Sequence, residues 1–209
     1  MNIIDSLKWR YATKDFDTTK KLSEKQLNTL LEAGNLTATS FGLQPGKIVL
    51  VETPEIREQL VGYSWGQKQV SEASHLLVIT ANTEMGDAQV DKYVSDIVEK
   101  RGVEEGSLAG MSKMVKGFLG GMDDAQKKVW ADNQAHIVLG NLLTVCAIEG
   151  IDACPIAGFQ PEKYDEVLKL KDDGQTSVLV LPVGFRLESD KYSSLDKVRM
   201  SDKEFVIRK

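Results

Sequence analysis

The stretch from Asp123 to Glu149 constrains the fold more than any other part of this chain. It keeps one helical pattern throughout. Its second half (Ile137, Val138, Leu139, Leu142, Leu143, Val145, Cys146 and Ile148) is apolar nearly all round. A helix without a polar face must be buried, in a core or against a partner subunit. Gly150 stands where a left-handed residue usually ends such a helix. A chain of 209 residues can enclose it. At that length about 70% of the unfolded surface is buried on folding, with no need of a disulfide or metal.

The rest of the sequence supplies the partners for that helix. Ile48-Val49-Leu50-Val51, Leu76-Leu77-Val78-Ile79 and Ser177 to Gly184 read as buried strands. Ile3, Ile4, Leu7 and Tyr11 recur at helical spacing. Ser23-Glu24-Lys25-Gln26 fits a capping box ahead of Leu27, Leu30 and Leu31, with a stop at Gly34 or Asn35. Pro54 and Pro161 each open a further helix. Ala88 to Lys100 is amphipathic, with Val90, Tyr93, Val94, Ile97 and Val98 inward. Gly102 to Met122 is dense in glycine and carries Met111, Met114, Phe118 and Leu119, which suggests a mobile, partly helical flap. The tail, Lys191 to Lys209, is polar but ends in Phe205-Val206-Ile207. An apolar cluster there suggests docking, as a strand added to another chain. Few strands among many helices give an α+β class. With no linker or repeat, residues 1–209 form one domain, with a flap at about 102–122 and a tail at about 191–209.

Several function classes are excluded by composition and motif. Lys plus Arg number 26 against 31 Asp plus Glu, a net charge of −5 that argues against broad binding to nucleic-acid phosphates or anionic membranes. Cys146 and Cys154 are too few for a secreted disulfide framework. His75 and His136 have no neighbouring second ligand, so no zinc site is expected. No basic segment followed by an apolar run opens the chain, and no apolar run reaches ~18 residues. A reducing cytoplasm is therefore the expected location. Gly42-Leu43-Gln44-Pro45-Gly46-Lys47-Ile48 falls short of a P-loop: one spacer residue is missing, and Ile48 stands where magnesium needs a hydroxyl. No GxGxxG follows a strand and no GxSxG elbow occurs. His75, beside an apolar strand, reads as structural.

What remains is basic residues near the two ends. Arg10 and Lys14 share a face if helical; Lys197 and Arg199 point the same way if extended. They are either solvated surface charge or a cradle for a phosphate dianion, and spacing alone leaves both open.

The residues themselves carry a family resemblance. Arg10-Tyr11-Ala12-Thr13-Lys14-Asp15-Phe16 resembles the opening R-x-S-x-K-x-F of the nitroreductase family. Ala38-Thr39-Ser40-Phe41-Gly42-Leu43-Gln44-Pro45 is similar to its SSxxxQPW segment, and Glu72-Ala73-Ser74-His75 before an apolar strand also matches. Gly150-Ile151-Asp152-Ala153-Cys154-Pro155-Ile156-Ala157-Gly158-Phe159 resembles GLDAxPIEGF. Pro182-Val183-Gly184 and Lys197-Val198-Arg199 match the last strand and tail. The motifs occur in family order over nearly the whole chain.

The resemblance implies an FMN-dependent NAD(P)H oxidoreductase. It also implies a mostly antiparallel sheet surrounded by helices, in an intertwined homodimer with FMN at the interface. Arg10, Lys14, Lys197 and Arg199 would hold the phosphate and ribityl chain, with Tyr11 and Ala12 on the same wall. Thr39, Ser40, Phe41 and Leu43 would approach from the other subunit. Pro155, Ile156, Ala157 and Gly158 would follow the ring edge that contains N5. Phe41 and Phe118 would line a substrate pocket. NAD(P)H would donate a hydride by way of N5 to a nitroaromatic, quinone or similar small electrophile in a ping-pong cycle, with no side-chain catalyst required.

Four departures from the family pattern stand out. Ala12 replaces a serine, Ala157 replaces a glutamate near N5, and Gly46 replaces the tryptophan of QPW. An ungapped alignment puts Gln69 where relatives place a lysine near N1 and O2; a gap of one residue would put Lys68 there. A neutral amide stabilises negative charge on the ring less than a cation does. The alternatives are a flavin reductase, a flavin-binding module of low turnover, or a helical interaction protein with no cofactor. Trp9 and Trp65 read as structural, Trp130 as core or interface.

Overall fold

The computed structural model describes residues 2–209. Its centre is a four-stranded antiparallel sheet in the order β1-β2-β4-β3, with β1 Ile48–Val51, β2 His75–Asn82, β3 Asp152–Ala153 and β4 Gln175–Gly184. Register runs Ile48 to Ile79, Leu77 to Leu181 and Ala153 to Val183. Side chains alternate across a sheet. Both faces of β2 and β4 are apolar, so both must be covered. Leu77, Ile79, Leu179, Leu181 and Val183 face one core; Leu76, Val78 and Val180 face the other.

The first core is closed by α2 (Glu24–Asn35) and α7 (Asp124–Ile148). Leu30 of α2 and Leu139, Leu142 and Cys146 of α7 pack there. Both helices start with capping boxes, Ser23 with Gln26 and Asp123 with Gln126, each satisfying backbone N–H groups of the first turn. Gly150, at φ 67°, follows α7 in the left-handed conformation. Across the sheet, the second core gathers Leu60 of α3 (Pro54–Gly62) and Tyr164 of α8 (Pro161–Val167). It is completed by Val70 of α4 (Gln69–Glu72) and Phe16.

A third cluster stands apart from the sheet. It joins Val90 of α5 (Asp87–Arg101) to Val115 and Leu119 of α6 (Ala109–Gly120), together with Leu43 and Met85. The glycine-rich stretch is thus largely helical, a short 3₁₀ turn leading into α6. Val115 and Leu119, four apart, anchor it.

α1 (Ile3–Trp9) packs against α7, and α9 (Asp202–Phe205) is a single turn in the tail. Among the described residues no helix is long and apolar enough to cross a membrane. The apolar surface of α7 is divided. Leu139, Leu142 and Cys146 are buried, while Ile137 and Ile148 are 47% and 50% exposed in the single chain.

Candidate functional site

α1 ends at Trp9, and Arg10 caps it in an extended conformation. The chain then runs beside β3: Ala12 pairs in parallel with Ala153, and the Thr13 N–H donates to the Ala153 carbonyl at 3.3 Å. This pairing carries Lys14 to Cys154, with Nζ 3.8 Å from Sγ. From the far end of the sequence, Lys197 Nζ donates to the Lys8 carbonyl at 2.7 Å. Cations from both ends of the chain therefore meet.

They meet at an electrostatic cost. Burial, then the charge of Arg199, holds Arg10 below its ordinary pKa. Burial, then Arg10 and Arg199, does the same to Lys197. Among the described residues none of Arg10, Lys14, Lys197 or Arg199 forms an ion pair. Arg186, nearby, is already committed. Its Nε donates to Asp152 Oδ1 at 2.7 Å, and its guanidinium lies 4.2 Å and 4.5 Å from the ring centres of Trp9 and Tyr11. Unpaired cations held against their own repulsion make a site for a multivalent anion.

The wall continues through the loop before α4. Trp65 and Gly66 are both left-handed, at φ 55° and 75°. They aim the indole at Gly158, whose missing Cβ is what allows the ring so close. Gln67 Nε2 donates to the Gly158 carbonyl at 3.0 Å, and the Gln160 N–H to the Tyr63 carbonyl at 2.9 Å. Ile156 pairs with Val180 of β4, which fixes Pro155 to Gly158 along the sheet. Gln69 is buried at the start of α4, while Lys68 before it is exposed. Arg10, Tyr11, Ala12, Lys14, Lys197 and Arg199 thus gather beside β3, with Pro155, Ile156, Ala157 and Gly158 following Cys154 along the sheet; Gln69 is buried at the start of α4. The Ile156 side chain turns into the second core, and its N–H and carbonyl both pair with Val180 of β4.

The Thr39–Leu43 group lies elsewhere. The Ser40 N–H donates to Gln134 Oε1 of α7 at 2.8 Å, and the Gln44 N–H to Thr39 Oγ1 at 3.0 Å. Phe41 packs edge-on against Phe118 at 5.0 Å, and Phe118 against Trp130 at 6.3 Å. Leu43 is buried in the third cluster. Phe41 and Gln44 hold left-handed φ values of 57° and 44°, a strain of roughly 1–2 kcal/mol each. A half-open cavity of about 580 Å³ sits behind this loop, lined by Thr39, Leu43, Gln44, Tyr93 and Gln134 among others. It does not reach the cations. Arg10 lies near Cys146 in the last turns of α7, whereas Ser40 is tied to Gln134, roughly 18 Å back along that helix at 1.5 Å per residue. One chain does not bring the two groups together.

Three residues escaped the sequence reading. Trp65, expected to be structural, is 72% exposed at the edge of the wall. Its Trp-Gly dipeptide in a loop is the turn signal that marks it. Gln134 sits on α7 among apolar neighbours, where a buried amide needs partners; Ser40 and the Trp130 carbonyl supply them. Asp190 has no motif around it. Its bonds to the Lys14 and Asp15 N–H groups span about 175 residues, so no local pattern reveals them.

Known proteins resemble this chain in sequence and fold. A NAD(P)H nitroreductase of Staphylococcus epidermidis, so named provisionally, is 37% identical over 98% of this chain and 95% of its own length. A nitroreductase structure from Bacillus subtilis, also provisionally named, superposes with a TM-score of 0.87 at 20% identity, covering 99% of this chain and 98% of that one. Another, from Exiguobacterium sibiricum and solved in complex with FMN, gives 0.85 at 19% identity over 100% and 98%. The model of the Nitroreductase family matches residues 7–185. With the family match spanning most of the sheet and the wall built on it, the chain belongs to the nitroreductase family.

Proposed function

We propose that this protein is an FMN-dependent NAD(P)H oxidoreductase that reduces nitroaromatics, quinones or similar small electrophiles, working as a homodimer. One observation carries the reading: Arg10, Lys14, Lys197 and Arg199 are brought together from both ends of the chain and left without anionic partners. A phosphate dianion offsets the repulsion that this convergence imposes. Lys14 against Cys154 sets the cations at the start of the Cys154–Gly158 segment, along which the rest of a flavin mononucleotide would lie.

When bound, FMN supplies the hydride-accepting and hydride-donating ring, so that donor and acceptor react in turn at one pocket. The protein supplies position and electrostatics. Arg10, Lys14, Lys197 and Arg199 hold the phosphate end, with Tyr11 and Ala12 beside them. Pro155, Ile156, Ala157 and Gly158 run along the ring edge; the Ile156 N–H and carbonyl are taken up by Val180, so the N–H groups of Ala157 and Gly158 are the donors available there. Gln69 presents a neutral amide in place of a cation, which stabilises negative charge on the ring less. Thr39, Ser40 and Phe41, with the backbone of Leu43, close the site from the partner subunit. That assignment is supported by their distance from the cations within one chain. Phe41 and Phe118, both partly exposed and in edge-to-face contact, wall the pocket and keep water from the reacting atoms.

Initial-rate measurements at several fixed concentrations of menadione, with NADPH varied, test the reaction order. Parallel double-reciprocal lines are expected; lines that converge would overturn the shared-pocket cycle.

A further inference from the structure

We infer that Asp190 is the positioning residue of the phosphate cradle, a clamp that holds its two cation-bearing segments in register. The inference rests on the functional reading above. Asp190 is 1% exposed, yet it lies just where the chain leaves the folded domain for the tail. Its Oδ2 accepts the N–H of Lys14 at 2.8 Å and of Asp15 at 3.1 Å. Its Oδ1 accepts the N–H of Tyr192 at 2.9 Å. One carboxylate therefore grips the strand that carries Arg10 and Lys14 and, with its other oxygen, the first turn of the segment that carries Lys197 and Arg199.

Neighbouring backbone bonds show how much is fastened there. The Leu187 N–H donates to the Asp15 carbonyl at 2.9 Å, and the Ser193 N–H to the Asp190 carbonyl at 3.0 Å. The Tyr11 hydroxyl, itself buried, lies beside the carboxylate without a well-formed hydrogen bond to it. The three groups bonded to the carboxylate are all backbone N–H donors, and the Tyr11 hydroxyl and the Cys154 thiol lie near it. These bonds hold Asp190 below the usual carboxylate range in spite of its burial. A neutral amide would turn an NH₂ toward one of the N–H groups and lose that half of the grip.

The geometry assigns Asp190 no contact with the cofactor. Its effect passes through Lys14 on one side and the tail on the other. Its removal should therefore weaken recognition of the phosphate and leave recognition of the isoalloxazine ring in place. A merely structural residue would weaken both flavins alike.

The test uses the full-length protein stripped of flavin, with FMN and riboflavin as probes and fluorescence quenching as the readout. The wild-type protein is expected to prefer FMN. In Asp190→Ala, FMN affinity should fall about tenfold to a hundredfold, the scale of one or two charge-assisted hydrogen bonds, with riboflavin affinity held within about twofold. An FMN preference left intact in folded Asp190→Ala overturns the clamp. If that variant does not fold, Asp190→Asn keeps the volume and one acceptor oxygen. A lowered FMN-to-riboflavin ratio there supports the clamp, and an unchanged ratio overturns it. A wild-type protein that binds neither flavin overturns the functional reading, and the clamp with it.

Discussion

Arg57 shows how a single residue can hold a functional loop without touching a ligand. It is buried, and its guanidinium donates to the carbonyls of Val70, Ala73 and Ser74, at 3.0 Å from Nε to Val70 and 3.1 Å from Nη1 to Ser74. Those carbonyls end α4 and begin β2, so Arg57 fixes the segment that follows Trp65 to Gln69. Arg57→Met leaves them without their donors and should lower stability by about 2–4 kcal/mol, measured by urea denaturation. His75, beside the same guanidinium, titrates below its ordinary value because of burial, then the Arg57 and Lys21 charges. A histidine with a depressed folded pKa binds protons more readily when unfolded. Its contribution to stability is therefore complete above about pH 6.5 and is lost as pH falls below that. Comparing wild type with His75→Gln at pH 7.5 and 5.5 should show a smaller acid loss in the variant. At the cradle, Arg10→Ala with Lys197→Ala should cut FMN retention about a hundredfold, read as the flavin-to-protein ratio after gel filtration. The cations were legible because they recur within short motifs. Asp190 and the pairing of Asp152 with Arg186 were not. A side chain whose partner is far away in sequence leaves no periodic trace.

Elements were legible where the pattern was long and the caps were local. The capping box of α2 and the proline starts of α3 and α8 fell where spacing placed them, while the Asp123–Gln126 box of α7 emerged only from the structure. Strand β3 was not read as a strand, because two residues carry no alternation; its pairing with β4 alone defines it. Glycine density suggested a mobile flap at 102–122, whereas apolar residues four apart organise α6 within it. Gly46 is the clearest case of an element set by close approach. The Asn82 N–H donates to the Pro45 carbonyl and the Thr80 N–H to the Lys47 carbonyl, which draws this segment onto β2. A Cβ at Gly46 would collide with the Thr80 carbonyl, so the tryptophan of the family pattern has no room here. Gly46→Ala should lower stability by about 2 kcal/mol or more in thermal unfolding.

At the scale of the whole molecule, the single chain leaves apolar surface uncovered. Ile3 and Ile4 of α1 are 53% and 56% exposed, and in the tail Phe205 and Ile207 are 77% and 80% exposed. With Ile137 and Ile148 of α7, they form more apolar surface than isolated side chains explain. In the proposed homodimer a second copy would cover this surface and would place the Thr39–Leu43 group of one chain against the cations of the other. Light scattering should give twice the 23.1 kDa chain mass, and removal of residues 191–209 should lower both dimer stability and flavin retention. The nearly all-apolar half of α7 is the sequence feature on which this expectation rests. Strand order was not legible, since it depends on contacts between distant segments, and the separation of the two residue groups was expected only from the family resemblance.

The visible spectrum of the freshly purified protein, recorded anaerobically before and after NADPH, tests the central claim most directly. Flavin bands that bleach with NADPH and return when a quinone or nitroaromatic is added are the result expected of an FMN oxidoreductase. A colourless protein that also fails to take up added FMN would contradict it.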